Sequence, residues 1–407
     1  MSRILLAWEL GGNYGHLSKL LPLARLLRQR GHEPLFAVRD LAVASAMIGK
    51  EFPFLQTPRP SEAIRQPREP VSYADILAGA GFGTKDSLDG MLHAWRGLFD
   101  LIRPDVVVAQ FAPMAIVAAR QTSIPTIRPD TGFESPPQTS PFPCFRPWLK
   151  VSPEALLEKE AELLVIINTV CGGKSRSLNS VLQADLTLLT TLPELDHYPG
   201  RQGGRYIGPL FQTDEGDEIP WQTVNRKRVF AYLRPFPELP ALLDELKKAQ
   251  VEVIAAIPGA DCKLADSFST ESFRIVSGTV RLDRILPQAD LAISHGGHGL
   301  TSACLLHGVP SLAIPTMIEQ LMTARNLERL KTGAEVTRAA LRKGGCGDIL
   351  NSLLTDTTYK EHSEALAEKY QSYDHNKTFS RLARTIERMA EGTKKQTEEL
   401  PAHATTT

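Results

Sequence analysis

The chain has 407 residues, 42 % of them hydrophobic and 23 % charged, so it can bury sizeable cores and general disorder is excluded. At roughly 100 to 200 residues per domain, this length predicts two domains. The 46 basic and 46 acidic side chains cancel, which leaves no overall field to attract nucleic acid or an anionic membrane.

The first half of the chain alternates short apolar runs with stretches of helical periodicity. The run RILLAW at residues 3–8 is too short for a signal or spanning segment and predicts a strand, and a helix is predicted from Leu17 to Gln29. Further strands are predicted in PLFAV, DVVVAQ, PTI, DLTLLTT and RYIGPLF. This order is typical of a parallel sheet with helices on both faces. It predicts a Rossmann-like domain over residues 1–211.

A second alternation follows the polar, acidic segment QTDEGDEIPW at residues 212–221, which we interpret as an interdomain linker. Strands predicted in RKRVFAYL, VEVIAAIP and FRIVSG indicate a second Rossmann-like domain over 222–375. Two doubly wound domains would then face each other, with ligands in the cleft beyond their strand ends. Residues 376–393 predict an amphipathic helix that could cross back to the first domain, and the polar tail 394–407 is predicted to be disordered.

The cysteines and the apolar runs bear on where the protein works. The five cysteines form no CxxC pair, and several lie in apolar sequence, which is typical of reduced thiols. We expect a cytoplasmic protein without a transmembrane segment, acting as a monomer or homodimer without nucleic acid.

Residues 289–315, ADLAISHGGHGLTSACLLHGVPSLAIP, join a strand (Leu291 to Ser294) to a helix ending near His307. Glycines between them permit close backbone approach, and the unpaired N–H groups of a helix start favour bound anions. Gly308 fits the position that ends this helix. From spacing alone, a diphosphate site and a plain strand-to-helix turn remain equally open.

The order strand, His-Gly-Gly-x-Gly, helix, Gly-Val-Pro, strand, Pro and acidic-Gln pair resembles the signature of family 1 GT-B glycosyltransferases, the UDP-glycosyltransferase and macrolide glycosyltransferase type. The segments TLPELDHYPG and RYIGPLF are similar to that family's last N-domain segments. The resemblance implies a GT-B fold, α/β with two facing Rossmann-like doubly wound domains and an interdomain cleft. It also implies that the first domain binds the acceptor and the second the nucleotide sugar.

Several site residues are implied by the resemblance. The donor diphosphate would be held by His295, Gly297, Gly299, the backbone of Leu300, and Thr301. Glu319 and Gln320 would contact the donor sugar, and the backbone of Val280 would contact the nucleobase of a UDP- or dTDP-sugar. Without the preceding motif, Glu319 and Gln320 would be interpreted as the solvated first turn of a helix.

The loop GGNYGH at residues 11–16 lacks the G-x-G-x-x-G spacing of a dinucleotide site. In the family, the equivalent loop faces the acceptor and carries a His at the helix start, which His16 matches. An imidazole can take the acceptor proton near neutral pH, and in-line attack would invert the anomeric centre. The other interpretation is that His16 only caps or packs against its helix. No DxD motif occurs, so we expect no metal and no obligatory cofactor besides the nucleotide-sugar co-substrate.

The chain departs from the family pattern at positions that matter for chemistry. Gln110 stands where an Asp usually supports the His, so either another acid serves, with Asp130 and Glu9 as candidates, or the acceptor loses its proton easily, or activity is low. Arg234 and Pro235 replace the usual Gly-Ser, and a guanidinium suits phosphate or an acceptor carboxylate. Leu300 replaces a Thr, and Thr323 an Asn. Possible acceptor or phosphate contacts are Asn13, Tyr14, Gln110, Asp130 and Arg234.

These features predict an inverting glycosyltransferase that acts on a small natural product, a peptide or a lipid acceptor. The alternatives are the lipid-linked peptidoglycan N-acetylglucosaminyltransferase group, a nucleotide-sugar epimerase of the same fold, and a non-catalytic nucleotide-sugar-binding partner. Six aromatic residues near the variable loops either wall the acceptor pocket or pack in the core: Phe82, Trp95, Phe133, Phe142, Phe145 and Trp148.

Overall fold

The computed structural model describes residues 1–12, 14–60 and 69–398, which divide into two units. The first unit comprises Met1–Thr191, Tyr198–Gly208 and Asn376–Thr407, and the second comprises Leu192–His197 and Pro209–His375. No helix in the described part of the chain is long and apolar enough to cross a membrane.

The first unit is built on a six-stranded sheet whose neighbouring strands are all parallel. Its strands are β1 Arg3–Trp8, β2 Glu33–Val38, β3 Phe54–Gln56, β4 Val106–Gln110, β5 Thr126–Asp130 and β6 Leu186–Leu189. Their order, β3-β2-β1-β4-β5-β6, is that of a doubly wound fold. The central strands β1 and β4 are buried on both faces, as their uninterrupted apolar sequence predicts.

The second unit repeats this architecture. Its strands are β7 Arg228–Tyr232, β8 Glu252–Ala256, β9 Phe273–Val276, β10 Leu291–Ser294, β11 Ser311–Ala313 and β12 Gly333–Glu335. They are parallel and ordered β12-β11-β10-β7-β8-β9, the same doubly wound order. The two central strands, β7 and β10, therefore end side by side, with Tyr232 opposite Ser294.

Helices connect the strands in both units. They are α1 Leu17–Gln29, α2 Leu41–Met47, α3 Tyr73–Leu77, α4 Lys85–Ile102, α5 Pro113–Gln121, α6 Pro153–Cys171, α7 Leu178–Val181, α8 Leu239–Lys248, α9 Cys262–Phe268, α10 Leu282–Ile285, α11 His298–Leu306, α12 Ile318–Leu330, α13 Arg338–Arg342, α14 Gly347–Thr355, α15 Thr357–Lys369 and α16 His375–Glu398. The predicted bounds of α1 and β10 are confirmed, and Gly308 follows α11 with a φ of +66°.

The segment 212–221, predicted as a linker, lies within the second unit. Asp217 N–H donates to Thr279 O at 2.9 Å, and Arg281 N–H donates to Asp217 O at 3.0 Å. Trp221 packs against the apolar core of that unit. The acidic side chains made the segment look like a connection, whereas its backbone pairs with residues 279–281.

Two other predictions are wrong. RYIGPLF forms no strand, because only Tyr206 pairs with Leu189 as a single bridge. The predicted disordered tail is helical up to Glu398, since α16 continues past residue 393, and the remaining residues lie outside the described part of the chain.

Candidate functional site

The turn after β10 depends on Gly296. Its φ is +79°, and its N–H donates to Ser294 Oγ at 3.0 Å. A Cβ at this position would lie 3.1 Å from the backbone oxygen of Gln320, in the first turn of α12. The glycine therefore lets the turn lie close to the start of α12. A side chain at position 296 would strain the turn and the start of that helix.

The N-terminus of α11 is open at the position where the resemblance implies a diphosphate. Gly297 precedes the helix, and no atom of the described residues lies within 4 Å of the place where its Cβ would be. The first N–H groups of a helix have no carbonyl partner within it and attract anions. Leu300 packs against the core, and Thr301 is buried with an Oγ1 that makes no hydrogen bond to the described residues.

Both ring nitrogens of His295 are engaged by backbone groups of the same unit. Nδ1 lies 3.0 Å from Ile314 O, and Nε2 accepts the Arg234 N–H at 3.1 Å. Burial, and also the charge of Arg234, lower the pKa of the imidazole. In this arrangement neither nitrogen is left to donate to a phosphate.

At the start of α12, Glu319 and Gln320 differ in what their side chains do. The Gln320 Oε1 accepts two hydrogen bonds of 2.9 Å from the N–H and the hydroxyl of Thr316, so this oxygen shapes the turn before the helix. The Glu319 side chain is half-buried, and none of the hydrogen bonds and ion pairs of the described residues involves its carboxylate. The Glu319 carboxylate oxygens are therefore not engaged by the described residues.

The backbone of Val280 points away from the segment that pairs with its neighbours. Thr279 O and Arg281 N–H bond to Asp217, and successive backbone groups of an extended chain face opposite sides. The N–H and C=O of Val280 therefore face the other side, where a base edge could read them.

In the first unit, His16 lies at the start of α1 without capping it through its side chain. The ring stacks on Trp8 with centroids 5.4 Å apart, and Phe111 lies 6.0 Å away. Gly11 approaches so closely that a Cβ there would lie 2.3 Å from His16 Nε2. Burial, then the charges of Lys19 and Arg39, lower the pKa of His16 to about 3. The imidazole is therefore neutral at physiological pH, and its buried Nδ1 makes no hydrogen bond to the described residues.

The Gln110 amide is held by Glu134, a residue that the sequence interpretation missed. Gln110 Nε2 donates to Glu134 Oε1 at 2.6 Å, and Phe111 N–H donates to Glu134 Oε2. Burial, then the neighbouring Asp130 carboxylate, raise the pKa of Glu134 well above its usual range. The other amide atom, Gln110 Oε1, is buried without a hydrogen bond to the described residues. In the sequence, the signal for this pair is limited to the position of Glu134 shortly after β5.

Neither alternative acid bonds to His16. Glu9 accepts the N–H groups of Met114 and Ala115, each at 2.8 Å, at the N-terminus of α5, and burial raises its pKa to about 8. Asp130 accepts the Gly132 N–H at 2.8 Å and the Ser135 hydroxyl. Both acids therefore organise neighbouring backbone.

The remaining predicted contacts are less informative. Asn13 lies outside the described residues, and Tyr14 is half-buried in the loop before α1. Trp148 is 49 % exposed, whereas the other five aromatic residues near the variable loops are buried, which favours core packing for them: Phe82, Trp95, Phe133, Phe142 and Phe145.

Two buried histidines in the second unit were not predicted as a pair. The rings of His197 and His298 lie 6.2 Å apart, and Thr323 Oγ1 lies 3.3 Å from His197 Nε2. Thr323, a departure from the family pattern, thus orders the segment at 192–197. In the described part of the chain, no group of three or more His, Cys, Asp or Glu side chains could hold a metal ion.

Residues 240–378 match the family model described as "Erythromycin biosynthesis protein CIII-like, C-terminal domain". The chain is 26 % identical over 336 residues to the L-demethylnoviosyl transferase of Streptomyces niveus, covering 78 % of this chain and 81 % of the relative. It is 24 % identical over 371 residues to the demethyllactenocin mycarosyltransferase of Streptomyces fradiae, covering 84 % and 77 %.

Among solved structures, the spinosyn rhamnosyltransferase SpnG resembles this chain with a TM-score of 0.69 at 20 % identity, covering 95 % of this chain and all of that one. SpnG has also been solved with thymidine diphosphate and with spinosyn aglycone. The likeness confirms the predicted fold of two doubly wound domains.

Proposed function

We propose that this chain is a family 1 glycosyltransferase of the GT-B fold, which moves a sugar from a UDP- or dTDP-sugar to a natural-product acceptor, with inversion. The observation that carries the proposal is the open N-terminus of α11 at Gly297. The thymidine diphosphate complex of SpnG and the transferase names of the curated relatives support the donor and acceptor classes.

On the donor side, the leaving group is a nucleoside diphosphate whose negative charge grows as the bond to the sugar breaks. Backbone N–H groups of the first turn of α11 are oriented before the reaction and stabilise that charge without reorganising. Glu319 accepts hydrogen bonds from sugar hydroxyls, and the backbone of Val280 binds the edge of the nucleobase.

On the acceptor side, His16 is the general base. The pKa of about 3 keeps its imidazole neutral but makes it a weak base, so this role requires that bound substrates change the surroundings of the ring and raise its pKa. Trp8 and Phe111 hold the ring plane, while no carboxylate of the described residues bonds to Nδ1.

No described residue bonds to His16 Nδ1. Gln110 lies opposite Trp8 in the sheet, but its Oε1 and His16 Nδ1 are both buried without a hydrogen-bond partner in the described residues. The imidazolium therefore lacks the carboxylate that would stabilise it, and the acceptor hydroxyl must lose its proton easily.

The test separates nucleotide binding from transfer. Gly297→Ala fills the open space with a methyl group, at a φ of −65° that alanine adopts freely. We expect its thermal stability to match wild type and its affinity for UDP and dTDP, measured by calorimetry, to fall at least about tenfold, because the methyl occupies the diphosphate position. Gly90→Ala, on the exposed face of α4, is the control and should bind normally.

For the base, His16→Ala should leave nucleotide affinity unchanged and lower acceptor-dependent nucleotide release by about 10²- to 10⁴-fold. Normal turnover of His16→Ala would exclude this role. Conversion of the donor sugar without an acceptor would instead indicate an epimerase, and tight binding without turnover a non-catalytic partner.

A further inference from the structure

We propose that His295 is a positioning residue for Arg234, and that the Arg234 guanidinium, rather than the imidazole, contacts the diphosphate of the donor. The inference rests on the proposed function, because it takes a nucleoside diphosphate as the ligand. It reassigns the histidine of the glycine-rich turn from a ligand contact to a support.

The hydrogen bonds of His295 define its tautomer. A carbonyl oxygen can only accept, so the contact of 3.0 Å between Nδ1 and Ile314 O requires the hydrogen to be on Nδ1. Nε2 then carries the lone pair, which accepts the Arg234 N–H at 3.1 Å. A neutral imidazole satisfies both contacts at once, and it has no further N–H to offer a phosphate.

Protonation of His295 would destroy this arrangement. A hydrogen on Nε2 would face the Arg234 N–H, donor against donor. The positive charges that act on the ring are Arg234 and Arg338, and both oppose protonation, as does burial. The imidazole therefore works as an uncharged link.

The link joins the ends of three neighbouring strands. His295 follows β10, Arg234 lies two residues after β7, and Ile314 follows β11. Phe236 packs its ring edge against the imidazole, with centroids 5.5 Å apart. Together these contacts fix the backbone of Arg234 at the carboxyl edge of the sheet, where α11 also begins.

Arg234 has the chemistry that the diphosphate needs. The residue is half-buried, and its guanidinium carries charge at every physiological pH. Its planar set of donors can bind two phosphate oxygens at once. At the edge of the sheet where α11 starts, the helix N-terminus and the guanidinium would neutralise the same leaving group.

A double-mutant cycle tests the assignment, with dTDP and UDP as probes and affinity measured by calorimetry on the full chain. Arg234→Ala should weaken binding by about ten- to a hundredfold, as expected for loss of a charge-assisted contact. His295→Ala should also weaken binding in the wild-type background. In the Arg234→Ala background the same change should have little further effect, because the residue on which it acts is gone.

Two conservative variants separate the two hydrogen bonds. The side-chain oxygen of His295→Gln can reach the place of Nε2 and accept the Arg234 N–H, so affinity should be largely retained. The shorter amide of His295→Asn can bond only to Ile314 O, and affinity should fall as it does in His295→Ala. The ratio of wild-type to His295→Gln affinity should stay constant between pH 6 and 8, since no proton on His295 takes part.

Thermal unfolding establishes that each variant is folded, and if His295→Ala is not, the Gln and Asn variants replace it in the cycle. Additive losses, or unchanged affinity of Arg234→Ala, would overturn the inference while leaving the proposed function intact. A wild-type protein that binds neither nucleotide would overturn both.

Discussion

The buried His16, which we assign as the general base, also lowers the stability of the folded protein at acidic pH. Its pKa falls from 6.5 to about 3 on folding, because the ring is buried near Lys19 and Arg39. Between these values the unfolded chain binds a proton that the folded chain does not, so stability falls as pH drops below 6.5. At pH 5 the contribution amounts to about 1 to 2 kcal/mol.

We therefore expect His16→Gln, which cannot titrate, to gain about 1 to 2 kcal/mol relative to wild type between pH 7.5 and pH 5, measured by urea unfolding. The control is Gly90→Ala, at an exposed position on α4, which removes no titratable group and whose difference from wild type should not change with pH. A constant difference for both variants would mean that His16 is protonated in the folded protein.

We predict that glutamine cannot replace Glu134 without a loss of stability. The carboxylate accepts from both Gln110 Nε2 and Phe111 N–H, and a glutamine has only one oxygen to offer. Glu134→Gln therefore leaves a buried donor facing a donor or, when the Gln110 amide turns over, leaves Gln110 Nε2 without an acceptor, and should cost about 1 to 3 kcal/mol in unfolding free energy.

The swap Gln110→Glu with Glu134→Gln provides the matched test. The new carboxylate at 110 can accept from the new amide at 134, whose oxygen can still accept the Phe111 N–H. Unfolding in urea should show that the swap recovers most of the stability lost in Glu134→Gln. If the swap is as unstable as the single variant, the pairing of these two side chains is not what stabilises the wild type.

At the scale of elements, two glycines have opposite roles. In β12, a Cβ on Gly333 would lie 2.1 Å from Ser311 O of the adjacent strand, so Gly333→Ala must push β11 and β12 apart. We expect a loss of roughly 2 kcal/mol or more, as for other forced overpacking. In α4, a Cβ on Gly90 would lie in open space among the described residues, and Gly90→Ala should gain roughly 0.5 to 1 kcal/mol from helix propensity. Thermal unfolding of the two variants should shift in opposite directions.

Most of these elements could be predicted from the sequence, because strands and helices of doubly wound domains have local patterns. The uninterrupted apolar run of β1 and the periodicity of α1 are examples. The strand predicted in RYIGPLF does not form, because apolar character alone does not provide a neighbouring strand to pair with. The place of segment 212–221 in the second unit could not be predicted, because its pairing partner, residues 279–281, is distant in sequence.

In the candidate site too, features formed by neighbouring residues could be predicted, whereas contacts between distant residues could not. The glycine-rich turn and the start of α11 are local and were located correctly as a strand, turn and helix. The bond from Gln110 to Glu134 spans 24 residues and that from Arg234 to His295 spans 61, and no spacing rule reveals either. Residue types therefore identify the chemistry, while the fold decides which atom each side chain uses.

At the scale of the whole molecule, the chain leaves the first unit and returns to it at the end. After the second unit closes at His375, α16 packs with the first unit through one apolar face, comprising Phe379, Leu382, Ala383, Ile386 and Ala390. Polar contacts accompany this face: Thr378 Oγ1 donates to Ile207 O at 3.2 Å, and Arg30 pairs with Glu387 at 3.2 Å. The first unit is therefore incomplete until the last helix has been added.

Ile386→Ala tests this dependence, because it removes a fully buried side chain from the helix that completes the first unit. We expect a loss of about 2 to 4 kcal/mol, observed by tryptophan fluorescence, since Trp8 and Trp95 lie in the core of that unit. Arg384→Ala, on the exposed face of α16, should change stability by less than about 0.5 kcal/mol. Nucleotide affinity, which we assign to the second unit, should be unchanged in both variants at temperatures where they are folded. Equal stability of the two variants would show that the first unit does not need α16.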